Sequence, residues 1–389
     1  MLRRVVFISL ILFSCFIRAE TASFWDSPQH GANSFNRLPP TQEYFDALAA
    51  YGATWVRLAY DKWPSEGRDF LIGDADHYQS LNATDLAQLK LVLDRAHKAN
   101  LKVVIAPLSL PNMRWSQNNN DVFDGRLWLD KKYWNDANHF WKDLATALKG
   151  HPAIAAFNLV NEPVPELNSD LKEHADSDAM AQWYKKHQGS SRDLRLFYQS
   201  LVKTIRQVDP NVTVMLDAGW YAAADAFSYW PSGLEDSNIL YSFHMYEPYD
   251  FTSSPNINRE KRYVYPGDIP FGEKTMQWGP QQVAAYISQP INWAKKSGIP
   301  VNRMVMGEFG CARTIPGCGE YLKDVLEAAD NLKLHWAFYA FREDSWDQMD
   351  YELGTKKVDW KYWDAMEKGE PDPIKRESSA LFDIIRKRL

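Results

Sequence analysis

The sequence predicts one α/β domain, a (β/α)8 TIM barrel, on three observations. Helical and strand patterns alternate along its whole length. The strands are short and apolar, as in parallel sheets covered on both faces. The long irregular connections, 62–81, 109–132, 163–191, 247–279 and 343–373, all follow strands. In a closed barrel those loops form the active-site rim. An open doubly wound sheet competes, but no glycine-rich phosphate loop follows any strand.

The elements follow in order. A first strand is expected near QHGANSF, then the helical TQEYFDALAAYG and the strand VRLAY at 56–60. ATDLAQLKLVLDRAHKAN repeats apolar residues at three and four, the helical period, and gives way to the strand LKVVIAPLSLP. WNDANHFWKDLATALKG and RDLRLFYQSLVKTIRQVDP read as helices, followed by the strands HPAIAAFNLVNEP and VTVMLDAGW. NILYSFHMY pairs with the helix QQVAAYISQPINWAKKSG, and NRMVMGEFG with GEYLKDVLEAADNL. KLHWAFYAFRE is the last strand and ESSALFDIIRKR the last helix.

The amino terminus reads as a targeting segment rather than fold. Arg3 and Arg4 precede an apolar run at 5–17 and the small Ala19, the pattern of a secretory signal over residues 1–19. The run is short of the roughly 20 residues that span a bilayer. A lipid anchor on Cys15 is the alternative. The barrel then occupies 20–389, in a protein secreted to the periplasm or the exterior. Cys311 and Cys318 remain, in CARTIPGC, with no His, Asp or Glu between them. In an exported chain such a pair is expected as a disulfide rather than a metal site.

Net charge is −6 with no basic cluster, which argues against nucleic acid or an anionic membrane as partner. A monomer is expected. Trp 16 and Tyr 19 stand out. Their flat apolar faces and polar tips fill cores or stack on sugar rings.

Function in a barrel sits where strands end. Those ends carry Arg57, Asn161 and Glu162, His244 and Tyr246, and Glu308. Each alone has a plain structural explanation, an ion pair or a satisfied core histidine. Together they place two carboxylates on one rim, and a buried carboxylate costs several kcal/mol unless paired. Two facing carboxylates suit cleavage of a glycosidic bond, one as proton donor and the other as nucleophile or base. Their neighbours must then push the two pKa values apart. Asp217, Glu247, Glu343 and Asp344 are further acids near strand ends, read as ligands to sugar hydroxyls or as structural groups, the structural role first.

NLVNEP, FHMY and MGEFG, in that order, resemble the cellulase-like glycoside hydrolases of family 5. The resemblance implies Glu162 as acid/base and Glu308 as nucleophile. It implies Asn161 as the amide that meets the sugar 2-hydroxyl, and Arg57 and Tyr246 as groups that orient the nucleophile and keep it ionised. His244 falls beside the acid/base. A retaining mechanism follows, with carboxyl groups about 5–5.5 Å apart, and no cofactor or metal. Two positions depart from the pattern. Leu108 or Ser109 stands where many members have a His, and Tyr339 where a Trp usually supports the sugar. Trp63, Trp115, Trp128, Trp220, Trp230, Trp278 and Trp346 fall in loops. Trp115, Trp220 and Trp346 are preferred as sugar platforms, and the others as glue between loops and barrel. The expected substrate is a β-linked polysaccharide or oligosaccharide, β-1,4-glucan first, with β-mannan or β-1,3-glucan as alternatives. From another class, the same barrel could bind carbohydrate without catalysis. A metal-dependent hydrolase would need a His-x-His strand, and none ends that way.

Overall fold

The computed structural model describes residues 24–343 and 348–389. The expected signal at 1–19, Cys15, Asp344 and Trp346 lie outside the described residues.

Eight parallel strands close into a barrel: β1 (His30–Ser34), β2 (Trp55–Leu58), β3 (Lys102–Ile105), β4 (Ile154–Asn158), β5 (Val214–Asp217), β6 (Ile239–Met245), β9 (Met304–Phe309) and β10 (His335–Phe338). The expected helices stand between them, among them Gln42–Ala50, Ala83–Lys98, Trp134–Leu148, Leu194–Val208, Pro280–Lys296 and Cys318–Leu332. Their starts are set by side chains that accept orphan backbone N–H groups. Asn82 accepts from Thr84 and Asp85, and Asp193 from Leu196.

Strand periodicity of two sorts each strand into an outward and an inward set. Val56, Leu58, Val103, Ile105, Phe157 and Phe243 join the large core between barrel and helices. Trp55, Val104, Ala156, Met215, Leu240, Val305 and Ala337 form a separate buried cluster, the lower layer of the barrel interior, closed by Trp25. The Trp25 indole donates to the Ala155 carbonyl at 3.2 Å. One inward step further along β1, β2, β4, β5 and β6 come Asn33, Arg57, Asn158, Asp217 and Ser242, all fully buried. The apolar plug supports a polar layer directly above it.

Several elements differ from expectation. The hairpin β7 (Gly267–Phe271) with β8 (Lys274–Trp278) lies in the loop after β6, and the helix Ser177–His187 in the loop after β4. GDIPFGEKTMQW lacks apolar alternation because most of the hairpin faces solvent. Gly272, at φ +59°, makes its tight turn. The final helix is only Phe382–Arg386, its start held by the Ser379 hydroxyl. Trp63, Trp128, Trp230 and Trp278 are buried against Phe70, Phe197, Phe227 and Tyr286, the glue role.

Cys311 and Cys318 form a disulfide between the end of β9 and the next helix. Backbone bonds from Cys311 to the Tyr351 hydroxyl, 2.9 Å, and from Ala312 to the Thr252 carbonyl, 2.7 Å, hold the same loop. A loop this short contributes about 2 kcal/mol by restricting the unfolded chain. Replacing both cysteines by serine is expected to lower unfolding stability by that amount, read from urea melts followed by circular dichroism. An unchanged midpoint would mean that the backbone bonds suffice.

Candidate active site

Arg57 organises the polar layer, and every one of its N–H donors is used. Nε donates to Asn158 Oδ1 at 2.8 Å. Nη1 donates to Glu308 Oε1 at 2.5 Å and Asn33 Oδ1 at 3.2 Å. Nη2 donates to Asn161 Oδ1 at 2.7 Å and Asp217 Oδ2 at 3.1 Å. Four barrel strands or their ends are thereby tied to one fully buried guanidinium on a fifth, β2. Asn161 spends its amide oxygen on Arg57, which leaves its amide N–H groups for the cleft.

Glu308 lies in β9, opposite His244 of β6 across a register irregularity. Its Oε2 accepts from the Tyr246 hydroxyl at 2.7 Å. Burial pushes that phenol well above its ordinary range, so it keeps its proton and donates. Burial also raises Glu308, against His244, Arg57 and the Tyr246 hydrogen bond.

Glu162 stands differently. The pairing of β4 ends at Asn158, earlier than the sequence pattern suggested, and the chain leaves the sheet before the Glu. Bonds from Leu159 to the Met215 carbonyl and from Asn161 to the Pro107 carbonyl keep it beside its neighbours. Glu162 adopts a left-handed backbone, φ +48°, with its N–H donated to Asp217 Oδ2 at 3.1 Å. Its carboxyl meets one side chain at hydrogen-bond distance, His244 Nδ1 at 2.8 Å. Burial pushes Glu162 up to about 8; Arg57 pulls against this, while Asp217 and Glu247 add to it. His244 is pulled below its usual pKa by burial and is neutral near pH 7. An oxygen of Glu162 and one of Glu308 lie within 4.8 Å of each other. The two carboxyls thus face one small space at the mouth of the barrel.

A cleft of about 430 Å³ opens above these groups, walled by Leu108, Trp115, Trp220, Tyr221, Tyr339 and Phe35 among others. Leu108 takes the place expected of a His. Its N–H and that of Ser109 are donated to Asp61 at 2.9 and 2.8 Å. Tyr339 reaches the cleft from the end of β10, as expected. Trp220, Tyr221 and Ala222 form a left-handed turn, with φ of 46°, 59° and 62°. Such a backbone costs an L-residue roughly 1–2 kcal/mol. Behind Glu247 of the cleft wall, burial pulls His174 down, but Asp225 and Glu247 carry it up to about 10.

The site does not suit a metal ion. In the group Glu162, His244 and Glu308, the guanidinium already occupies a Glu308 oxygen at 2.5 Å. In the group Glu173, His174 and Glu247, the imidazole is protonated and has no free lone pair. Asn33, Asn158 and Tyr221 escaped the sequence reading. Asn158 had a signal, a polar residue in an apolar strand at an inward position; Asn33 and Tyr221 had none.

The profile of the cellulase family, glycosyl hydrolase family 5, matches residues 19–345. Endoglucanase 3 of Fibrobacter succinogenes is 24% identical over 175 residues, 37% of this chain. That match spans 26% of the curated relative, about a quarter of its length. A solved endoglucanase superposes with a TM-score of 0.61 at 20% identity, covering 95% of this chain and 99% of its own. A hyperthermophilic endo-β-1,4-glucanase in complex with substrate gives 0.61 at 19%, covering 90% and 99%. Thermotoga maritima Cel5A in complex with mannotriose gives 0.58 at 17%, covering 80% and 90%. At such identities the structures speak for the barrel alone. The family profile spans most of the sequence and includes Glu162 and Glu308, so the chain belongs to glycosyl hydrolase family 5, the cellulase family.

Proposed function

We propose that the protein is an exported retaining β-glycan hydrolase, with β-1,4-glucan as substrate. One observation carries the chemistry: two carboxyl groups within 4.8 Å sit in opposite hydrogen-bond environments. Glu308, gripped by Arg57 and Tyr246, attacks the anomeric carbon. Glu162 gives its proton to the leaving oxygen, and the glycosidic bond breaks as the ester to Glu308 forms. Glu162 then takes a proton from water, which attacks the same carbon and frees Glu308. Asn161 offers its amide N–H groups to the sugar 2-hydroxyl.

The choice of glucan is supported by the endo-β-1,4-glucanase neighbour. The mannotriose complex of Thermotoga maritima Cel5A favours β-mannan as the second reading. The disulfide supports an oxidising compartment. No helix among the described residues is long and apolar enough to cross a membrane.

Hydrolysis of a panel of β-1,4-glucan, β-1,3-glucan and β-mannan tests the reading. Glu162→Gln is expected to lose about 100- to 10,000-fold in kcat on polymer, and Glu308→Gln at least as much. Wild-type rates in Glu308→Gln would sink the assignment, and a wild type inert on every glycan would favour a binding protein.

The pH profile follows from the two carboxyls. Glu162 must be protonated, so the rate falls as pH rises through about 8. Glu308 must be ionised, so the rate also falls toward acid, from above the ordinary carboxylate range. With an aryl glycoside whose leaving group needs no acid, Glu162→Gln is expected to lose the alkaline limb of its glycosylation rate. An alkaline limb that persists would assign it to another group.

A further inference from the structure

One buried carboxylate at the rim has no part in this mechanism. Glu166 is fully buried in the turn after β4. Its Oε1 accepts from the Tyr184 hydroxyl at 2.5 Å, and its Oε2 accepts from the backbone N–H of Trp220 at 3.1 Å. Arg192 grips the carbonyls of Pro165 and Leu167 on either side, the latter at 3.1 Å, and so fixes the backbone that carries Glu166. Removing a carboxylate from water is costly unless its oxygens are satisfied. Here one of the two bonds comes from the first residue of the left-handed run, Trp220.

That run carries both of its rings to the cleft. Trp220 and Tyr221 both line it, and Tyr221 lies against Trp115 with centroids 5.7 Å apart and planes tilted by 30°. Consecutive left-handed residues persist only where surroundings over-determine them. The fit of Glu166 against the turn is close. A Cβ on Gly219 would stand 2.2 Å from Glu166 Oε1, so a side chain before Trp220 would push the carboxylate out of place.

We propose that Glu166 is a positioning residue for sugar binding. It pins the left-handed turn Gly219–Ala222 so that Trp220 and Tyr221, with Trp115, make one aromatic wall for a glucan chain. The identity of the ligand rests on the hydrolase reading above; the pinning rests on the hydrogen bonds. Without the carboxylate the turn relaxes toward the right-handed region and the rings separate.

The test measures cellohexaose binding by tryptophan fluorescence in Glu308→Gln protein, which cannot turn it over. It also measures KM and kcat for cellohexaose with Glu308 intact. Glu166→Ala is expected to weaken binding about 10-fold, the equivalent of one stacking contact, and to raise KM in step with kcat nearly unchanged. Glu166→Gln keeps an acceptor for the Trp220 N–H and is expected to stay within about 3-fold of its parent. A folded Glu166→Ala with unaltered affinity would overturn the proposal, and so would a Gln variant as impaired as the Ala variant. If Glu166→Ala does not fold, Gly219→Ala decides. The same rise in KM at retained kcat supports the pinning, and an unaltered KM refutes it. A Glu308→Gln parent that binds no cellohexaose would remove the glucan reading itself, and this inference with it.

Discussion

The five-donor fork of Arg57 is the constraint on which the rest of the site depends. A guanidinium is planar and permanently charged, and its donors point in fixed directions. Once it is buried inside the barrel, every donor must find an acceptor. The acceptors come from β1, β4, β5, β9 and the turn after β4. Satisfying one side chain therefore fixes the relative positions of Asn33, Asn158, Asn161, Asp217 and Glu308. Losing one partner of such a buried pair costs about 3–5 kcal/mol, which makes the polar layer as rigid as the apolar plug beneath it.

The same arrangement separates the two glutamates. Glu162, Glu308 and Asp217 face a single buried cation, and His244 is neutral near pH 7. Full ionisation would leave an excess of negative charge in a poorly solvated space. A proton relieves it, and the hydrogen bonds decide where that proton sits. Glu308 accepts a hydrogen bond on each oxygen, one from the Arg57 cation and one from the Tyr246 hydroxyl. Among the described residues Glu162 has only the imidazole at hydrogen-bond distance from its carboxyl, and Asp217 and Glu247 push its pKa up. Fold and proton inventory are thus one problem with one solution.

Much of this was legible in the sequence. The alternation of helix and strand located the barrel strands, and Glu162, Glu308, Arg57, Asn161, His244 and Tyr246 do converge on one cleft. What escaped did so for physical reasons. Asn158 was lost in an apolar run, and Asp217 was seen but not placed under Arg57, because which residues point inward depends on register, and register is a property of the closed sheet. The hairpin after β6 carries no core pattern because it has almost no core. The left-handed turn at Trp220 and Tyr221 has no local signature, since it exists only against Glu166 and Tyr184. Trp63, Trp128, Trp230 and Trp278 look like Trp115 and Trp220 in sequence, and only a place on the cleft wall separates the two groups.

The central claim is that Glu308 is ionised while Glu162 is protonated in the free protein. Carbon-13 NMR of glutamate side-chain carboxyls, titrated in the wild type and in the Glu162→Gln and Glu308→Gln variants, tests it directly. The account predicts a carboxyl that titrates near pH 8, missing from Glu162→Gln. In Glu308→Gln that carboxyl remains, since Glu162 carries it. A high titration that survives in Glu162→Gln and vanishes in Glu308→Gln would reverse the roles of the pair.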